Sequence, residues 1–143
     1  MIKQLKKDRQ YMEMAHVWAK SSHCNRNQVG ALIIKDNRFI SDGYNGTPSG
    51  FPNTCETADN ETHWYVLHAE ANAILKCARH GQSCEGSTLY ITLSPCKECA
   101  KLIFQSGIKK VIYDEEYRDT TGIDFLRSAG VNVVKLNMTN ENN

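Results

Sequence analysis

Two short strings hold the residue types from which a metal-assisted hydrolytic site can be built: His68-Ala69-Glu70 and Pro95-Cys96-Lys97-Glu98-Cys99. One nitrogen donor and two sulfur donors suit Zn²⁺. Three protein ligands leave a tetrahedral ion one open position, where bound water is acidified to a pKa of ~7. Cys96 and Cys99 are three residues apart, so in a first helical turn both sulfurs face one side. Glu70, two residues beyond His68, can take a proton from that water and pass it on without serving as a ligand. Alone, the Cys96-x-x-Cys99 string would equally suit a redox pair or half of a structural zinc site. A closed structural site with Cys24, Cys55, Cys84 or His63 as fourth ligand is the main alternative, and it leaves Glu70 without a task.

The two strings can meet only if each opens a helix and a strand between them returns the chain. The surrounding pattern provides this. Residues 8–20 place Met12, Ala15 and Ala19 at helical spacing, with Asp8 expected in the first turn. Residues 29–34 and 39–44 are β-type runs joined through Asp36-Asn37, a hairpin. Residues 45–65 carry Gly46, Pro48, Gly50 and Pro52 without sustained periodicity, a long loop of the kind usually kept for function. A helix is expected over 68–80 and stopped by Gly81, then a strand over 88–93 and a helix opened by Pro95 and ending near Ser106. A strand over 109–113, a helix over 122–129 stopped by Gly130 and a strand over 131–136 follow, and 137–143 reads as a frayed tail. Strands alternating with helices predict one α/β domain over 1–143, a three-layer α/β/α sandwich on a mixed five-stranded sheet.

Composition narrows the substrate. The chain has 143 residues, enough for one core but short for two. Seventeen Lys and Arg against sixteen Asp and Glu give a net charge of +1, which creates no field able to gather polymeric nucleic acid. A small anion remains suitable, because one or two local cations can hold it. No apolar run approaches the ~20 residues of a membrane span, and no signal-type segment follows Met1, so a soluble cytoplasmic protein is expected. In that reducing compartment the six cysteines are expected to be metal ligands and free thiols.

The combined pattern of His-x-Glu and Pro-Cys-x-x-Cys is similar to the established signature of zinc nucleobase deaminases, in which hydroxide attacks a ring carbon and ammonia leaves. Four longer strings make the likeness more particular. They are Arg26-Asn27-Gln28-Val29-Gly30-Ala31, Gly43-Tyr44-Asn45-Gly46-Thr47-Pro48-Ser49-Gly50, residues 66–74 around His68-Ala69-Glu70-Ala71-Asn72-Ala73-Ile74, and residues 94–103 around the two cysteines. Over about 8–136 the chain resembles the deoxycytidylate (dCMP) deaminase family, within the cytidine deaminase-like fold.

The resemblance implies one catalytic zinc on His68, Cys96 and Cys99, with Glu70 as proton shuttle. It implies that Asn45 contacts the sugar and base edge, that Arg26 and Tyr117 lie near the phosphate, and that Ala69 and Ser94 complete the substrate site. The implied reaction is dCMP to dUMP and ammonia, supplying dUMP for thymidylate synthesis. It further implies a homohexamer, activated by dCTP with Mg²⁺ and inhibited by dTTP, through a second nucleotide site that includes Gly43, Tyr44, Asn45 and Gly46. Some relatives carry a second, structural zinc. Here Cys24, Cys55 and His63 are present, but Ala58 and Val66 cannot complete four ligands. Cys77 and Cys84 are then a helix-packing thiol and a loop thiol.

Other functions share parts of this pattern. Free cytidine, CMP or adenosine in tRNA are rival substrates; a tRNA enzyme would be helped by a basic face, and free cytidine would not need Arg26. A non-catalytic zinc nucleotide sensor would bind ligand and release no ammonia.

Overall fold

The computed structural model describes residues 2–138. The elements run α1(Ile2–Ala19), β1(Gly30–Lys35), β2(Arg38–Tyr44), α2(Ala69–Arg79), β3(Thr88–Leu93), α3(Lys97–Gln105), β4(Lys110–Glu115), α4(Thr121–Ser128) and β5(Asn132–Lys135). The expected order is present, and the main difference is at the start. Ile2-Lys3-Gln4-Leu5-Lys6-Lys7 consists of good helix formers, so α1 begins before Asp8. Asp8 is therefore not a cap. It is buried in mid-helix, where Oδ1 accepts hydrogen bonds from the Tyr90 hydroxyl and from Gln4 Nε2. At the hairpin the expected turn is found, with Asp36 and Asn37 at φ 53° and 61°, left-handed values that short polar side chains tolerate.

The sheet order is β2-β1-β3-β4-β5. β1 is antiparallel to both its neighbours, while β3, β4 and β5 run parallel. Alternation along the strands sends side chains to two separate cores. Leu32, Ile34, Tyr90 and Ile112 meet Met12 and Ala15 of α1 on one face. Ala31, Ile33, Leu89, Ile91 and Val111 meet Ala73, Ala100, Ile103 and Leu126 of the other helices on the opposite face. The result is the expected α/β/α sandwich, with α1 alone on one side.

This topology gathers one set of chain segments at one end of the sheet. β1 enters there, with Gly30 paired to Tyr44, the last residue of β2. β3 and β4 leave there, with Leu93 opposite Glu115. The segments before β1 and after β2, β3 and β4 therefore converge beyond the carboxyl ends of parallel strands, where ligand crevices of open α/β sheets lie.

The long connection after β2 is more ordered than its sequence suggests. Gly46 and Leu67 exchange backbone hydrogen bonds at its base. Within it, His63 N–H donates to the Cys55 carbonyl at 2.8 Å and Thr57 N–H to the Glu61 carbonyl at 2.7 Å, making a small hairpin. A Cys24–Cys55 disulfide, with Cα atoms 5.1 Å apart, fastens this hairpin to the segment before β1. The expectation that all cysteines are ligands or free thiols is corrected here: folding brings Cys24 and Cys55 together although 31 positions separate them.

At the end of the described chain, Arg9 Nε donates to the Asn137 carbonyl and Met138 packs against the core on the α1 face, so the first residues of the expected frayed tail are held. Residues 139–143 of that tail lie outside the described residues. Among the described residues no helix is long and apolar enough to cross a membrane.

Candidate active site

His68 caps α2 and Cys96 caps α3, both in extended backbone, so each string opens a helix as its spacing requires. The start of α2 is seated on β2 by close contact. A Cβ on Gly43 would lie 2.4 Å from the Ala69 carbonyl oxygen and 2.8 Å from Ala73 N, and Ser41 Oγ donates to the Ala73 carbonyl at 2.7 Å. Gly43 thus has a packing task that fixes the height of His68 and Glu70 above the sheet.

His68 Nδ1 lies 3.6 Å from Cys96 Sγ and 3.3 Å from Cys99 Sγ. A tetrahedral zinc with Zn–N and Zn–S distances of ~2.0 and ~2.3 Å needs donors about 3.5 Å apart, so this donor set fits the ion. Among the described residues it is the one His, Cys, Asp or Glu group whose ligand atoms converge in this way, all within 4.8 Å of one another. Cys24, Cys55 and His63 form no such group, since the two sulfurs are bonded to each other and the His63 ring stacks on Tyr65. His68, Cys96 and Cys99 also share charge. Hydrogen bonds from Cys99 and then His68 hold the Cys96 thiol far below its usual range. Donation to Cys96, with burial, pushes Cys99 up, and the bond to Cys96 raises His68 despite desolvation. A thiolate is thereby maintained where a cation would sit.

Glu70 is 3% exposed and on the second position of α2. Desolvation is the largest influence on it and pushes its carboxyl up to about 7, against the opposing pull of its own backbone N–H and of His68. A group that gains and loses a proton near neutral pH is what acid–base catalysis requires.

A cavity of about 220 Å³ opens beside these groups, lined by His68, Ala69, Glu70 and Cys96 and by Arg26, Asn45, Ser94 and Tyr117. Every substrate residue expected from sequence therefore borders one space. Their local roles differ. Arg26 is exposed and its guanidinium has no ion-pair partner among the described residues. Asn45 is largely committed to the backbone: Oδ1 accepts from Val29 N–H at 2.9 Å and Nδ2 donates to the Asn27 carbonyl at 2.8 Å, leaving one amide hydrogen. The Ser94 hydroxyl accepts the Tyr117 N–H at 2.7 Å, which fixes Tyr117 at the rim.

Among the lining residues that sequence reasoning did not place in the site are Glu56 and Thr62. Both sit on the small hairpin, opposite each other as an isolated bridge pair. Their stretch has no periodic pattern to mark it.

A second cavity of about 680 Å³ is lined by Gly43, Tyr44 and Gly46 together with Lys76, Arg79 and His80. Asn45 lies outside it; it borders the first cavity and also a smaller one of about 230 Å³ that it shares with Tyr44 and Gly46.

The model of the cytidine and deoxycytidylate deaminase zinc-binding region matches residues 5–115. The chain is 37% identical to the deoxycytidylate deaminase of Enterobacteria phage T4, over 92% of this chain and 90% of that one. It is 38% identical to the human deoxycytidylate deaminase over 77% of this chain and 66% of the other. Among solved structures, the dCMP deaminase of cyanophage S-TIM5 in complex with dCMP and dUMP is similar with a TM-score of 0.85 and 48% identity, covering 87% of this chain and 93% of that one. The fold, the converging His68, Cys96 and Cys99 and these likenesses agree: the chain belongs to the zinc-binding cytidine and deoxycytidylate deaminase family.

Proposed function

We propose that this chain hydrolyses dCMP to dUMP and ammonia in the cytoplasmic nucleotide pool. The observation that carries the proposal is the buried Glu70 carboxyl, poised near pH 7, beside a three-donor zinc site in a cavity that also holds a free arginine. Similarity to a dCMP deaminase whose structure holds dCMP and dUMP supports the choice of substrate.

His68, Cys96 and Cys99 would hold zinc, which when bound supplies the Lewis acidity that makes water nucleophilic at neutral pH. Glu70 accepts the proton released as water oxygen bonds to C4 of the cytosine ring. It delivers this proton to ring N3, and the second water proton leaves with the exocyclic amine as ammonia when the C4–N bond breaks. The Ala69 N–H, in the first turn of α2 and without an intrahelical acceptor, can bind the base edge. The remaining Asn45 amide hydrogen serves the sugar, Ser94 and Tyr117 border it, and the Arg26 fork matches a phosphate.

The same proposal includes a homohexamer and regulation by dCTP with Mg²⁺ and by dTTP at the second cavity. Arg79 and Lys76, the latter paired with Asp42, lie beside Tyr44 and Gly46 and give that cavity the cations a triphosphate would need.

The test is ammonia release from dCMP, CMP, deoxycytidine and dCTP, with and without dCTP and Mg²⁺, by the wild type and Glu70→Ala. Turnover of dCMP that falls by at least ~10³-fold in the variant, with zinc retained, is expected for loss of a general acid–base group. Absence of turnover on every cytosine compound, or full activity in Glu70→Ala, would refute the proposal.

A further inference from the structure

We propose that Glu56 is a positioning residue that sets Arg26 for the nucleotide phosphate. Glu56 is 8% exposed, and one carboxylate oxygen, Oε2, accepts the backbone N–H of Asn25 at 2.9 Å and of Arg26 at 3.1 Å. Hydrogen bonds to an ionised acceptor are stronger than neutral ones, and two on consecutive amides fix the peptide plane from which the Arg26 side chain departs.

The segment needs such a grip. Residues 25–28 have no regular structure and are exposed. Four ties hold them: the disulfide at Cys24, the Asn45 amide at Asn27 and Val29, the Gln28 side chain donating to the Ser22 carbonyl, and Glu56 between the disulfide and Asn27. Of the four, only Glu56 acts at Arg26 itself. Because both N–H groups are engaged by a carboxylate, they are not available to an anion, and the phosphate is left to the guanidinium. The hairpin that carries Glu56 therefore links the cavity wall to the part of the site that distinguishes a nucleotide from a nucleoside.

This inference rests on the proposal that Arg26 meets the phosphate, and the experiment separates the two. Steady-state kinetics on dCMP are measured for Glu56→Ala, Glu56→Gln, Arg26→Ala and the Glu56→Ala/Arg26→Ala double variant, with zinc content and thermal melting alongside. Loss of a positioning contact for binding raises KM while leaving kcat near wild type; about a tenfold rise is expected for Glu56→Ala and a smaller one for Glu56→Gln, which keeps a neutral acceptor. The double variant should be no worse than Arg26→Ala, because Glu56 acts through Arg26. If Glu56→Ala does not fold, Glu56→Gln carries the comparison. An unchanged KM in the Glu56 variants, a fall in kcat at constant KM, or multiplicative effects in the double variant would each overturn the inference. An unchanged KM in Arg26→Ala would instead remove the phosphate assignment beneath it.

Discussion

Burying Glu70 gives the carboxyl a proton affinity suited to catalysis and at the same time burdens the fold. Its value rises from 4.5 to about 7 on folding, chiefly through desolvation. A carboxyl with a raised folded value binds its proton more tightly in the native state. Its favourable contribution is therefore complete below about pH 4.5 and is lost as pH rises through about 7. In chelator-treated, metal-free protein, Glu70→Gln should match wild-type stability near pH 4.5 and exceed it at pH 8. A shift of this size corresponds to about 3 kcal/mol at most. Urea titrations at the two pH values measure the difference; a gap that fails to open with pH would show that Glu70 is not destabilised by burial. At this scale the sequence was informative where chemistry sets spacing, as with His68, Glu70, Cys96 and Cys99. It was silent on Glu56, whose role depends on backbone amides that are 30 or 31 positions away and carry no residue signature.

The helices that present the ligands are themselves held by close backbone approaches, and Gly122 is the clearest case beside the metal site. It lies at the second position of α4, where a Cβ would come within 2.4 Å of the Pro95 carbonyl oxygen and 2.8 Å of Cys96 backbone atoms. Backbone cannot swing aside as a flexible side chain can, so Gly122→Ala must displace either α4 or the Pro95–Cys96 turn. A loss of roughly 1–3 kcal/mol in stability is expected from overpacking, together with weaker zinc retention against a competing chelator. Unchanged melting and unchanged retention would show that the approach can relax freely. Periodicity was enough to place the nine elements of the described residues in order, because their apolar positions face two cores. Boundaries were less legible. The helix-forming run 2–7 extended α1 past Asp8, and the small hairpin 55–63 is too polar to show alternation, its order coming from Cys24 and from the cavity wall.

Across the whole chain the six cysteines divide into three pairs with different chemistry. Cys96 and Cys99 converge with His68 as a donor set that fits zinc. Cys77 of α2 and Cys84 in the connection after it are buried, and burial with a hydrogen bond to Cys77 pushes the Cys84 thiol up to about 12, which makes it a poor nucleophile. Cys24 and Cys55 are joined, closing a span of 31 residues, a constraint worth about 3–4 kcal/mol in the chain-entropy account. The disulfide uses the two sulfurs that a second zinc site would need, so the metal stoichiometry and the thiol count are tied together. Protein purified without reductant should carry one zinc per chain. After denaturation with a chelator it should titrate four thiols, Cys77, Cys84, Cys96 and Cys99, and all six only after reduction. Metal analysis and thiol titration on the same sample make the two numbers interdependent. Six thiols with two zinc ions would mean that Cys24 and Cys55 serve as ligands, and the clamp on the segment carrying Arg26 would then be metallic. Four thiols with one zinc would leave that segment held by the covalent bridge, Glu56 and Asn45.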